Sequence, residues 1–220
     1  QTVISLSDFW VGLIGAGSLI GLAGGAIMGT IADRFGRKGM LMLNMYLFSV
    51  LSLLQLTTTN PWLLLLLRIL IGLMIAIDYT VGNAWLVEWM PEKVSGRFQS
   101  RLIIYWTIGF IGAYIAGITI TGFGATNWQV ILASSAVPGL ITAIYRSLYR
   151  LPASPSWMAT HVNNDEAQQL IQENLGRKWG LSKKLLASKA PAKISWKILF
   201  TKEYRRQTLV GGLFYACQAF

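Results

Sequence analysis

The stretch WVGLIGAGSLIGLAGGAIMGTIADRFGRKG, residues 10–39, sets two kinds of chain side by side. Residues 10–32 carry no charge. Asp33, Arg34, Arg37 and Lys38 then arrive together, interrupted by Gly36 and closed by Gly39. A helix that crosses a bilayer needs roughly 20 mostly apolar residues, and the uncharged run supplies them. The cluster after it marks where that helix meets water.

The rest of the chain repeats this alternation. Of its 220 residues, 54% are hydrophobic and 13% are charged, against about 25% charged in ordinary globular domains. Mean hydropathy is +0.50. Apolar stretches at 10–32, 40–58, 62–87, 102–123 and 128–148 predict five spans, and a sixth begins near Leu209. The chain starts at Gln1 rather than Met and stops inside that sixth stretch at Phe220, so it reads as a fragment. The expected organisation is a bundle over 1–150, a cytoplasmic interhelical segment over 151–206 and the start of another span over 207–220. "DEAQQLIQENL" (165–175) predicts a short amphipathic helix. "SKKLLASKAPAK" (182–193) fits a membrane-surface segment or a solvated linker equally well.

Charge placement orients the bundle. Bases collect at 33–39, at 88–101 (Lys93, Arg97, Arg101) and at 146–206 (Arg146, Arg150, Lys183, Lys184, Arg205 and Arg206 among them). The loops at 57–62 and 122–128 hold no Lys or Arg. This alternation is the positive-inside pattern, and it predicts an integral protein of the plasma (inner) membrane with its basic loops in the cytoplasm. Trp10, Trp62 and Trp128 at outer ends, and Trp85, Trp89 and Trp157 near inner ends, fit interfacial belts. The net charge of +10 does not indicate a nucleic-acid partner, because the bases lie between spans rather than on one solvated face. Cys217 and His161 are the sole residues of their types. No disulfide framework, metal cluster or cofactor is expected.

Within the spans, Gly17, Gly21, Gly25 and Gly29 recur every four residues, as do Gly109, Ala113 and Gly117. Small residues at this spacing let helices approach closely in lipid. "GAGSLIG" (15–21) superficially matches a dinucleotide loop, but it lies inside an unbroken apolar run, where no strand precedes it.

Two ionisable residues fall inside the third span, Arg68 and Asp78. Each costs about 2.5–3.5 kcal/mol to insert, so each should face a partner or a water-filled cavity. Ten residues separate them, about 15 Å along a helix, too far for direct pairing. A partner on another span, or water, is required. No Asp or Glu lies in the other complete spans, which places the partner of Arg68 outside this stretch of chain. A substrate or proton pathway and a static ion pair both satisfy the requirement. Asp33 poses a related question: an acid at a helix C-terminus opposes the macrodipole, so it too should have a partner elsewhere. Gly36 or Gly39 can supply the turn that stops the helix.

These residues resemble the signatures of the major facilitator superfamily. "GTIADRFGRKG" (29–39) is similar to its loop signature G-x-x-x-D-R-x-G-R-K through Gly29, Asp33, Arg34, Gly36, Arg37 and Lys38. "RILIGLMIAIDY" (68–79) resembles the R-x-x-x-G stretch of its fourth helix. "VEWMPEKVSGR" (87–97) resembles E-x-x-P-x-x-x-R-G, and "LPASPSWM" (151–158) resembles the P-E-S-P-R-W-L of sugar-porter-like members. "DYTVGNA" (78–84) looks most like the metabolite–proton symporter branch. The resemblance implies an all-α polytopic membrane protein: the second to sixth helices of a major facilitator bundle and the start of the seventh, without the first helix or most of the C-terminal half.

What the resemblance implies for function is a secondary transporter, not an enzyme, moving a small polar metabolite such as a sugar or an organic or aromatic acid. Proton symport is expected, with a first-helix acid pairing with Arg68. Glu88 and Arg97 would join the Gly29–Lys38 signature in cytoplasmic latches. Gln218 matches a glutamine that opens a substrate-contacting stretch. Asp78, Tyr79, Asn83, Trp106 and Gln218 are the candidates for lining the path, although Trp106 fits a core or lipid-facing role as well. Ser95, Ala153 and Ser156 depart from the family pattern and remove latch partners, so either a looser latch or a divergent mechanism is expected. The alternative is a metabolite sensor on the same scaffold that binds without transport. A membrane-embedded enzyme lacks a nucleophile–base pair, a ligand cluster and a phosphate loop.

Overall fold

The computed structural model describes residues 7–90, 92–181 and 200–219, with the side chains of 92–94, 125 and 214–219 excepted. The segment 182–193 lies outside them, as does the side chain of Gln218. Among the described residues there are helices and turns and no strands. Two units separate: residues 1–180 and residues 181–220.

The first unit opens with α1 (Asp8–Leu22) and α2 (Gly25–Phe35), one apolar rod broken at Ala23–Gly24. Gly24 N–H donates to the Gly21 carbonyl three residues back (3.0 Å), which tightens the backbone there. Glycine pairs are a common cause of such kinks. Next come α3 (Arg37–Leu54) and α4 (Pro61–Ile77), the latter started by an Asn60 cap that accepts from Trp62 N–H at 3.0 Å. A π-helical turn, Asp78–Gly82, joins α4 to α5 (Asn83–Trp89). The long α6 (Glu92–Thr119) follows, then α7 (Asn127–Ser134) and α8 (Ala136–Leu148). Two short helices, α9 (Pro155–His161) and α10 (Asn164–Leu175), complete the unit. In the second unit the described helix is α11 (Arg205–Ala219).

Four of these helical stretches are long and apolar enough to cross a membrane: Asp8–Phe35, Pro61–Trp89, Ser95–Thr119 and Asn127–Leu148. The predicted span over 40–58 is different. Its helix α3 has 18 residues and carries Asn44, Ser49 and Ser52 buried in its packed face. Those polar groups are used in helix contacts, and they dilute the apolar signal.

Glycines set the closest contact in the bundle. A Cβ on Gly21 would lie 2.0 Å from the Ile69 carbonyl oxygen, and one on Gly72 would lie 2.0 Å from that of Ser18. The backbones of α1 and α4 therefore touch, as small residues allow in lipid. Gly17 and Gly25 extend the seam, to Arg68 Cβ and Thr80, whereas Gly29 has no neighbour within 4 Å. The second row has no such contact among the described residues: Gly109 and Gly117 face no neighbour within 4 Å, and α6 presents exposed side chains such as Tyr105, Phe110 and Tyr114 along its length.

The core of the unit joins α2, α3, α4 and the π turn through Ala32, Leu41, Met74, Ile77 and Val81. Polar contacts tie α3 and the loop after it to α7, α8 and the residue between those two helices. Gln129 Nε2 donates to the Thr58 carbonyl (3.0 Å), Ser135 Oγ donates to Ser52 Oγ (3.2 Å), and Tyr46 Oη lies 2.8 Å from Ser147 Oγ. The helix α10 buries Ala167 and Ile171 and leaves its charged residues in solvent.

Candidate functional site

Two polar networks sit along the α4–α5 rod. The first gathers around the signature loop. Gly36 ends α2 with φ 92° and ψ 146°, a backbone region that side chains other than glycine rarely adopt. This turn sends α3 off with Arg37 as its first residue. Arg37 Nη2 then reaches back to Asp33 Oδ1 (3.1 Å), and its Nη1 reaches Glu88 Oε1 of α5 (2.7 Å). Asp33 thus finds its partner four residues on, within the same loop. The expectation of a remote partner is corrected: the chain turns back at Gly36 and brings the base to the acid.

Glu88 is also contacted from α9. Ser154 caps that helix, accepting from Trp157 N–H at 3.1 Å, and donates its hydroxyl hydrogen to Glu88 Oε2. Trp157 lays its ring 3.5 Å from where a Gly36 Cβ would be, and its Nε1–H donates to the Asp33 carbonyl (3.1 Å). The ring also stacks on His161, with centroids 4.9 Å apart. Sequence reasoning weighed Ala153 and Ser156, which are altered from the family pattern, and missed Ser154 and Trp157, which make the contacts. The cap signature, Ser followed by Pro at the first helical position, was the available signal. Arg34 and Lys38 are exposed, Arg34 lying over the Phe35 ring at 5.5 Å. Arg97 is exposed and forms no ion pair among the described residues.

The second network joins α8, α3 and the π turn. Arg146, on the last turn of α8, grips Asp78 side-on: Nη1 donates to Oδ1 (2.9 Å) and Nη2 to Oδ2 (3.0 Å). Asn44 of α3 donates from Nδ2 to Asp78 Oδ1 (2.9 Å). Asp78 and Arg146 border a cleft of about 300 Å3, together with Gly82, Asn83, Trp85 and Leu151. Sequence reasoning had treated Arg146 as a topology-setting base. The usable signal was that it lies inside the 128–148 stretch, where a base needs a counter-charge as much as Asp78 does.

Arg68 stands apart from both networks. It lies in α4 beneath the Gly17 seam, and its buried Nε has no hydrogen-bond partner among the described residues. The side chains of Tyr79 and Trp106 lie near one another. Trp106 in turn stacks on Phe110 at 5.8 Å. Tyr79 and Trp106 are both about half exposed. Asn83 lines the cleft instead. Gln218 belongs to the second unit. The path candidates therefore fall in three places within the first unit: Arg68 alone, Asp78 with Asn83, and Tyr79 with Trp106. Among the described residues no group of His, Cys, Asp or Glu could hold a metal.

The sequence profile of the family described as "Sugar (and other) transporter" matches residues 4–220. The chain belongs to that family. The "Inner membrane metabolite transport protein YgcS" of Escherichia coli is 31% identical over 215 residues, 97% of this chain and 47% of that protein. The "D-xylose transporter" of Levilactobacillus brevis is 27% identical, covering 96% of this chain and 47% of its own length. The "Galactose-proton symporter" of Escherichia coli is 30% identical over 154 residues, 70% of this chain and 32% of that one. The chain spans about half the length of the first two relatives. Among solved structures, the major facilitator proton:xylose symporter XylE bound to 6-bromo-6-deoxy-D-glucose superposes with a TM-score of 0.70. That match has 20% identity and covers 80% of this chain and 43% of the other. The fold is that of the N-terminal half of a major facilitator transporter, and the family is one of transporters, not enzymes. With its long apolar helices, the chain is part of an integral membrane protein.

Proposed function

We propose that the complete protein is a secondary active transporter that carries a small polar metabolite across the membrane by alternating access, coupled to protons in symport. The metabolite is a sugar or an organic or aromatic acid, bound near the midplane between two helical halves. The observation that carries this reading is the unpartnered Arg68 Nε, buried in a central helix of a sugar-transporter-family bundle. An intramembrane base whose buried Nε has no hydrogen-bond partner among the described residues calls for an acid beyond them. A carboxylate on a preceding helix would satisfy it. Protonation of that acid would release Arg68 and shift the balance between inward- and outward-facing states.

The other elements take roles around this one. Tyr79, Trp106, Asn83, Asp78 and Gln218 line the path, the aromatic rings each offering an apolar face with one polar handle. The Asp33–Arg37–Glu88 cluster, with Gly29, Arg34, Gly36, Lys38 and Arg97 around it, latches the cytoplasmic side in one of the two states. The basic loops face the cytoplasm across the plasma (inner) membrane. The printed names of relatives, a galactose–proton symporter and a D-xylose transporter, support the substrate class and the coupling. No observation favours the sensor alternative.

The test is uptake of labelled sugars and organic acids by the complete protein in liposomes, with and without an inward proton gradient, for wild type and Arg68→Ala. Gradient-driven uptake that the variant loses is the expected result. Uptake indifferent to the gradient would replace symport with uniport. Binding without any uptake would overturn the transporter reading.

A further inference from the structure

Asp78 opens the π-helical turn Asp78–Gly82, and Tyr79 and Asn83 lie within it and just after it. A π turn is a rare, widened register that occurs mostly at functional sites, and it must be held by its surroundings. Here the holding group is Arg146. Its two terminal nitrogens meet both oxygens of Asp78 at 2.9 and 3.0 Å. The guanidinium is itself anchored from behind, because Nη1 also donates to the Leu41 carbonyl (2.9 Å) and to Asn44 Oδ1 (3.3 Å). Asn44 then closes the ring by donating to Asp78 Oδ1 (2.9 Å).

This arrangement fixes an orientation as well as a charge. The planar guanidinium fork matches a carboxylate in two parallel bonds, which a lysine cannot reproduce. The anchor points on α3 are a backbone carbonyl and an Asn that is 1% exposed. The direction of the Asp78 carboxylate is thus dictated by α3 and α8, not by the π turn that carries it.

We propose that Arg146 is a positioning residue for transport: through its two-pronged grip on Asp78 it fixes the Asp78–Gly82 turn and so aims Tyr79 and Asn83 at the substrate path. The proposal rests on the transporter reading above. It makes Asp78 a fixed counter-charge and leaves proton coupling to Arg68.

The test uses the complete protein in liposomes and in nanodiscs, with Arg146→Lys, Arg146→Ala and Asp78→Asn. Arg146→Lys keeps the charge but loses one of two parallel bonds. It should raise KM about tenfold, the equivalent of one charge-assisted hydrogen bond, with the response to the proton gradient retained. Arg146→Ala should lose more, and added ethylguanidinium, entering by the cleft that Arg146 lines, should restore part of the uptake. Hydrogen–deuterium exchange should speed up across 78–82 in Arg146→Ala and slow again with ethylguanidinium. Where Arg146→Ala does not fold, the neutral pair Asp78→Asn/Arg146→Gln replaces it in the exchange measurement. Exchange does not depend on transport, so a wild type that carries no substrate removes the transporter reading while the grip on the turn is still judged. Unchanged exchange in Arg146→Ala, or wild-type kinetics in Arg146→Lys, overturns the proposal. So does an Asp78→Asn variant that loses gradient-driven uptake while downhill uptake remains intact.

Discussion

The Arg37 guanidinium lies 2.7 Å from the Glu88 carboxylate, and the side chains of both residues are only 16% exposed. Its second acid, Asp33, is 67% exposed at 3.1 Å. One base therefore serves two acids of unequal weight. A hydrogen bond to a charged group with little solvent contributes about 1.5–3 kcal/mol, and an exposed pair contributes about 0–1 kcal/mol. Glu88 is the partner that matters for stability. In thermal unfolding of the purified protein, Glu88→Gln should lower the midpoint clearly and Asp33→Asn should barely move it. A double-mutant cycle of Arg37→Ala with Glu88→Gln should show a coupling above about 1 kcal/mol. Equal effects of the two acid variants would refute this ranking.

Gly36 predicts a cost that is conformational and not steric. A Cβ there would meet the Trp157 ring at 3.5 Å, an ordinary contact, but the backbone stands at φ 92°. Holding a non-glycine residue in such a region costs about 1–3 kcal/mol. Gly36→Ala should therefore destabilise the loop by that amount, and Trp157→Ala should not rescue it. If the double variant recovers wild-type stability, crowding under the indole is the real constraint.

At the α1–α4 crossing the order reverses. The backbone of Gly72 is helical, and the obstacle is the Ser18 carbonyl, 2.0 Å from an added Cβ. Rigid backbone cannot give way as a flexible side chain can, so the helices must separate. Overpacking of this kind costs about 1–3 kcal/mol or more. Gly72→Ala and Gly21→Ala should each reduce the yield of folded protein in detergent, and Gly29→Ala, with open space around it, should not. A normal yield for Gly72→Ala would mean that the two helices lie farther apart in the bilayer.

The Ser154–Glu88 hydrogen bond joins the helix cap of α9 to α5. Ser154→Ala removes the cap and the Glu88 contact together. A lost cap alone costs about 1 kcal/mol, so a loss near 2 kcal/mol is expected, and Ser154→Asp should fall further because it sets a second acid against Glu88. Proteolysis rates across 155–175 would report both. A Ser154→Ala variant no more sensitive than wild type would remove the docking role from this contact.

The apolar runs, the basic loops and the four signatures made the fold legible, because spans and loop charge are properties of composition along the chain. The kink at Ala23–Gly24 was not legible, since the glycines of that run all look alike in sequence, and neither was the π turn at Asp78, where Asn44 of α3 donates to the Met74 carbonyl just before it. In the site, Arg68 was visible as a charge without a partner. Arg146 was hidden by its position: a base in the last turn of a helix already has a reason to be there, in the macrodipole and in topology. Trp157 was hidden in the same way by its interfacial setting. Both residues satisfy a general rule and a specific contact at once, and the general rule was met first. The Gly109–Ala113–Gly117 row permits close packing, and no described helix lies against Gly109 or Gly117.

The stitched face of α3 has a consequence for how this chain enters a membrane. Asn44 and Ser52 are each at most 1% exposed, and Ser49 3%, inside a helix of 18 residues. A helix that keeps its polar groups for its neighbours partitions into lipid less readily alone than beside them. The 17 residues of α4, PWLLLLLRILIGLMIAI, are far greasier. During synthesis the weaker α3 should wait at the insertion machinery until α4 emerges, and the two should then leave for the bilayer as a hairpin. The groups that fix helix register in the finished bundle thereby also set the order in which its parts are handed to the lipid.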